Sequence, residues 1–219
     1  SATASITGVT ALILQANPNL TWREVKDIYA KTSRKLDYTI TPSNTNYRES
    51  NYRYDYGWVT NAAGFSFHNA FGFGLADAGK AVEMAKSYTT GQMTEFKKSN
   101  FFDYTGESVA IQDGEYQNGT SIDIEITDDM KVEMIQMKIS VTHEDFNELE
   151  IEIESPSGTK SIILTRDRNL QIPNLTDAHM GSNAFYMESS KGTWKIRIRD
   201  FATGKTGALN KASLRVFGQ

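Results

Sequence analysis

The residues best suited to chemistry in this chain are three histidines, His68, His143 and His179, and a set of carboxylates, with no cysteine. A zinc site built from the histidines would need long-range convergence, because none has a local ligand spacing; lone surface histidines are the ordinary reading. The absence of cysteine removes disulfides, thiolate metal sites and a cysteine nucleophile together. Glu148, Glu150, Glu152 and Glu154 alternate with Leu149, Ile151 and Ile153, so they share one face of a strand. A solvated outer face accounts for them, with Lys or Arg on a neighbouring strand relieving the like charges by the order of a few tenths of a kcal/mol. A glycosidase pair among them lacks any sugar-stacking context. Hard loop oxygens suit calcium. The loop carboxylates that could supply them are Asp103, Glu107, Asp113, Asp128, Asp129, Glu144 and Asp145, and no EF-hand spacing chooses among them. Tyr47, Tyr52, Tyr54, Tyr56 and Trp58 could anchor a partner, although packing of their loop onto the body of its own domain is the expectation. Trp194, near Gly192 and Ile196, reads as core rather than as a ligand platform.

The elements that must position these residues fall into two kinds. Ala2, Ile6, Val9, Ile13 and Ala16 recur at helical spacing, which predicts a buried helix with a close neighbour at Gly8. Asn17-Pro18-Asn19 stops it, and Thr21-Trp22-Arg23-Glu24 is a capping box for a second helix with Leu20, Val25, Ile28 and Tyr29 on its apolar face. Residues 37–62 follow neither regular period and form a long irregular excursion. Asp77 is a plausible N-cap for a short helix through Ala85, and residues 86–98 then turn polar and small. Beyond them the period becomes two: 122–126, 135–141, 149–153, 161–164, 194–198 and 212–216 read as strands, separated by turn signals such as Ser155-Pro156-Ser157-Gly158. Many short alternating strands without helices between them predict an antiparallel β-sandwich.

Composition bounds the partners. With 219 residues, 39% hydrophobic and 23% charged, the chain has the balance of a soluble, core-forming protein. A net charge of −4 without basic clusters argues against nucleic acid, and no apolar run is long enough for a membrane span. A cysteine-free chain suits the cytosol, and equally a bacterial secreted protein that relies on calcium instead of disulfides. Ser1 to Thr10 show no signal peptide.

Two stretches carry a family resemblance that spans nearly the whole chain. Ser1-Ala2-Thr3-Ala4-Ser5-Ile6-Thr7-Gly8 resembles the helix after the nucleophile in subtilisin-like serine proteases, whose pattern is Gly-Thr-Ser-x-Ala-x-Pro-x-x-x-Gly. The continuation from Ala16 to Val25 is similar to the kexin and furin branch. Ser155-Pro156-Ser157-Gly158-Thr159, Gly192-Thr193-Trp194 and the closing Ser213-Leu214-Arg215-Val216-Phe217-Gly218 resemble the P domain that follows the protease in that branch. Aligning the family's glycine on Gly8 makes Ala2 the pattern's alanine and puts the nucleophile one residue before Ser1. Ser1 itself would be the nucleophile only in a register shifted by one, which turns each preceding side chain by about 100°. The family's proline falls on Ala4, a departure that a first helical turn tolerates.

The resemblance implies an α+β composite: the C-terminal helices of a subtilisin-type α/β catalytic domain over 1–87, a linker over 88–98, and an all-β, jelly-roll-like sandwich over 99–219. It also implies a secreted, periplasmic or cell-surface serine endopeptidase, of bacterial type, that uses calcium. Its catalytic Asp, His and Asn would precede the serine, and none of the three histidines here matches the family's. The chain alone would be inactive, its partners being the upstream part of the catalytic domain, a peptide substrate, and a chaperone or propeptide. The competing expectation is a non-catalytic sandwich that serves as a binding module, since fold alone does not settle function.

Overall fold

The computed structural model describes residues 2–37, 56–166 and 174–219, and Tyr47, Tyr52, Tyr54 and Ser1 lie outside them. Helix α1 spans Ala2–Ala16 and helix α2 spans Trp22–Thr32. The capping box at the start of α2 is formed in both directions: the Glu24 amide donates to Thr21 Oγ1 at 3.3 Å, and the Thr21 amide donates to Glu24 Oε2 at 2.8 Å. Strands β1 (Val59–Thr60) and β2 (Ser66–Phe67) then make a short antiparallel hairpin, so the end of the stretch read as irregular is ordered by local pairing. Helix α3 covers Ala78–Ser87, capped by Asp77, whose Oδ1 accepts from the Lys80 amide at 3.0 Å. Just before it, Arg34 and Leu75 bridge. The crossing requires glycine at position 74, where φ is +118° and a Cβ would collide with the Arg34 carbonyl.

The remaining strands are β3 (Lys97–Lys98), β4 (Phe102–Asp103), β5 (Val109–Ile111), β6 (Thr120–Ile126), β7 (Val132–His143), β8 (Leu149–Glu154), β9 (Lys160–Leu164), β10 (Asn174–Ser182), β11 (Gly192–Asp200) and β12 (Gly207–Gly218). Among the described residues they form two antiparallel sheets. One runs β10-β7-β12-β3, with β4 and β5 also pairing on β12; the other runs β6-β11-β8-β9. Alternation along β6, β7 and β11 sends every second side chain inward, and the two sheets close over one apolar core. Trp194 lies at its centre, fully buried, its ring edge-on to Phe185 at 4.9 Å and its Nε1 donating to the Ser190 carbonyl at 2.7 Å. The described residues thus form an α+β composite of three α-helices and a β-sandwich.

A second, smaller core of Ile13, Leu20, Val25, Ile28, Ala81 and Ala85 holds the helices together. Helix α1 departs from its sequence reading. Ile13 is its buried residue, Ile6 is 43% exposed, and nothing approaches the position a Cβ would take on Gly8. Its C-terminal half packs on α3, and its N-terminal half is held from α2 by Tyr29, whose hydroxyl reaches the Ile6 carbonyl and Thr10.

Candidate functional site

The most elaborate polar arrangement lies where the helices meet the sandwich, and α2 supplies the first half of it. Arg23, Lys26 and Asp27 share one side of the helix because they sit three and four residues apart. The Arg23 guanidinium forks onto the Glu133 carboxylate of β7, with Nε to Oε1 at 2.9 Å, and also donates to the Thr94 carbonyl; both charged groups are buried. Lys26 donates to the Glu133 carbonyl at 3.0 Å and to Asn183 Oδ1 at 3.2 Å, and burial lowers its ammonium pKa against the opposing pull of Glu133.

Asp27 gathers three donors from three parts of the chain: Lys31 at 2.5 Å, Tyr88 at 2.6 Å and Tyr186 at 3.1 Å. Burial and the neighbouring Asp27 charge raise the pKa of both phenols, so each stays a donor at physiological pH.

The sandwich answers with the connection from β10 to β11. Tyr186, fully buried, is flanked edge-on by Phe65 at 4.9 Å and Phe73 at 5.5 Å, with the Lys26 ammonium 5.2 Å from its ring centre. Asn61 uses its whole amide here. Its Nδ2 donates to the carbonyls of Ala184 and Tyr186, both at 2.9 Å, while its Oδ1 accepts from the amides of Ala63 and Phe65. Glu188 accepts from the Ala62 amide at 2.8 Å and from Thr159. Tyr186→Phe removes a hydrogen bond to a buried carboxylate, and urea unfolding is expected to show a loss of about 1.5–3 kcal/mol.

The glutamates of β8 are not on a solvated face. Register sets Arg197 opposite Glu152, Arg199 opposite Glu150 and Lys195 opposite Glu154. Glu150 and Glu152 are buried, with Arg199 Nη1 at 2.6 Å from Glu150 and 3.1 Å from Glu152, and with Arg197 paired to Glu152. Tyr56 closes over this ladder by donating to Glu152, so that residue packs on the sandwich rather than on its own domain. Trp58 does stay at home, its Nε1 donating to the Leu36 carbonyl at 3.0 Å. Glu148 belongs to a 3-10 turn, Phe146–Glu148, and pairs with Lys205.

The histidines stay apart, and two of them are buried instead of lying at the surface. His68 packs against Trp58 and Phe71, and His143 Nε2 meets Asp200 Oδ2 at 3.3 Å, where burial raises the Asp200 pKa. His179 is exposed, edge-on to Phe101. The loop carboxylates are equally scattered. Asp113 accepts from the Gly204 amide, Asp129 from Ser189, Glu144 from Thr206, and Asp145 from Lys205, which lowers its pKa. No group of three or more metal-binding side chains comes together among the described residues.

The helices and the sandwich are thus joined by one buried polar seam. Residues 1–74 match the subtilase family, and residues 132–216 match the proprotein convertase P-domain. The chain therefore joins a subtilase-family segment to a proprotein convertase P-domain segment, and is similar to serine proteases of the kexin and furin-like branch. It is 32% identical to the Aeromonas extracellular serine protease of Aeromonas sobria, over 93% of this chain and 35% of that protease. Human proprotein convertase subtilisin/kexin type 7 is 29% identical over 96% of this chain and 26% of its own length. The crystal structure of the Aeromonas sobria serine protease with its chaperone superposes with a TM-score of 0.85 at 29% identity, covering 100% of this chain and 43% of that one. The chain thus spans about a third of the length of the first of these relatives, 35%.

Nothing in the sequence pattern marks Arg23, Asp27, Asn61, Glu133 or Tyr186 as a set. Arg23 and Asp27 read as the polar side of an amphipathic helix, and their burial follows from a partner far away in sequence.

Proposed function

We propose that this chain contributes the post-nucleophile helix and the stabilising P domain of a secreted, kexin-like serine endopeptidase, and hydrolyses nothing by itself. The observation that carries the reading is α1: an apolar helix in the nucleophile-following pattern, with Ile6, Leu12 and Leu14 left exposed at its surface. Apolar side chains exposed around a helix need a cover, and the upstream part of a catalytic domain provides one. The reaction requires a serine, a histidine to take its proton, an aspartate to orient the imidazole and an oxyanion donor. The Gly8 register places the serine one residue ahead of Ser1, and the other groups belong further upstream.

The division proposed is 1–87 for the catalytic portion, 88–98 for the linker and 99–219 for the P domain. Calcium is proposed for the whole enzyme without assigned ligands, since the seven loop carboxylates considered above form no group of three or more among the described residues. A relative crystallised with a chaperone supports a chaperone or propeptide as a partner of the whole protease. The seam speaks against an independent binding module: a free sandwich would expose Glu133 and Tyr186, which here are buried against α2.

Residues 1–219 incubated with fluorogenic peptides are expected to release no product. Hydrolysis that disappears in Ser1→Ala would overturn both the register and the inactivity.

A further inference from the structure

Helix α2 touches the sandwich on one side and α1 on another. Its sandwich side is Arg23, Lys26 and Asp27, fixed to Glu133, Asn183 and Tyr186. Roughly a third of a turn away stands Tyr29. Its hydroxyl donates to the Ile6 carbonyl at 3.2 Å and lies 2.8 Å from Thr10 Oγ1, which completes the chain of donors. The Ile6 carbonyl already accepts the Thr10 amide within the helix, so the phenol and the threonine clamp one turn of α1 from outside. The other end of α1 is held separately, because Asn17 Nδ2 donates to the carbonyls of Ala85 and Tyr88 at 3.1 and 3.3 Å. With its C-terminal end pinned on α3, the freedom left to α1 is a pivot of its N-terminal turns. Tyr29 restrains that pivot.

We propose that Tyr29 is a positioning residue: its hydroxyl carries the docking of the sandwich on α2 to the first turns of α1, and so sets the helix that follows the nucleophile. This rests on the protease reading of the chain. The phenol touches neither substrate nor reacting atoms. It acts through α1, and a rigid tie is what a nucleophile needs, because a displacement of about 1 Å can cost on the order of a hundredfold in rate.

The test uses the whole protease, upstream part included, and compares wild type with Tyr29→Phe, which keeps the ring and removes the tie. The expected result is a kcat lowered about tenfold or more with KM changed less than about twofold, at temperatures where both proteins are fully folded. Thr10→Ser should keep most of the rate and Thr10→Val should not, and Tyr29→Phe with Thr10→Val should be no worse than either alone. Weakening the seam with Tyr186→Phe should lower kcat in wild type and leave Tyr29→Phe unchanged. A wild-type kcat in Tyr29→Phe, or losses that add, overturns the proposal. Should the whole protein cleave no peptide, the protease reading fails by itself. Hydrogen exchange on residues 1–219 still judges the tie: the Thr10 amide should exchange faster in both Tyr29→Phe and Tyr186→Phe, and unchanged protection in either sinks it.

Discussion

Glu133→Ala is expected to destabilise the folded chain by about 3–5 kcal/mol, measured by urea unfolding with helical and sheet signals followed separately. The carboxylate is buried, and its loss strands the buried Arg23 guanidinium with only the Thr94 carbonyl and Gln219 Oε1 as acceptors. Desolvation, rather than the pair's attraction, sets the size of the effect. The double change Arg23→Met with Glu133→Leu should therefore recover most of the loss, since two apolar groups of similar volume leave no charge unpaired. A single variant that behaves like the double one would mean that water reaches the pair. The helical signal should melt first in Glu133→Ala, because the contact it breaks joins the two parts and lies outside the main apolar core.

Trp194→Ala should cost a similar amount, about 3–5 kcal/mol, but the sheet signal should report it. The indole fills the centre of the sandwich against Phe185 and satisfies the Ser190 carbonyl. Trp194→Phe separates the two roles: it keeps a ring and leaves that carbonyl short of its donor, for a loss of about 1–3 kcal/mol. Equal losses in Ala and Phe variants would mean that the hydrogen bond, not the packing, carries the residue.

Much of the fold is legible because period two and period 3.6 are local. The strands over 122–126, 135–141, 149–153, 194–198 and 212–216 lie within β6, β7, β8, β11 and β12, and the capping box forms as Thr21 and Glu24 imply. Strand β10 is not legible: Asn174–Ser182 carries Asp177, His179 and Gly181, and it pairs with β7 through an irregular register at Leu175 and Ala178. Its strand character comes from the neighbour's free edge. Glu150 and Glu152 are the converse case, where the period is right and the environment wrong. Alternation says that they point away from the core; only Arg197 and Arg199 across the ladder, and Tyr56 from the distant hairpin region, make that outer face dry. The seam was hidden for the same reason. Arg23 and Glu133 are 110 residues apart, and no local pattern encodes such a meeting.

Strand β12 pairs with β3, β4, β5 and β7, which makes the last strand of the sandwich the one around which the larger sheet is organised. On the ribosome these four emerge first and wait. Their unpaired edges, the kind that recruit neighbouring chains, stay open until Gly207–Gly218 has left the exit tunnel. The seam is late too, since Glu133 stands at the start of β7 and Gln219 beside it follows β12. The interval before β12 joins the sheet is thus the most vulnerable one in the life of this chain, and shielding is most useful then.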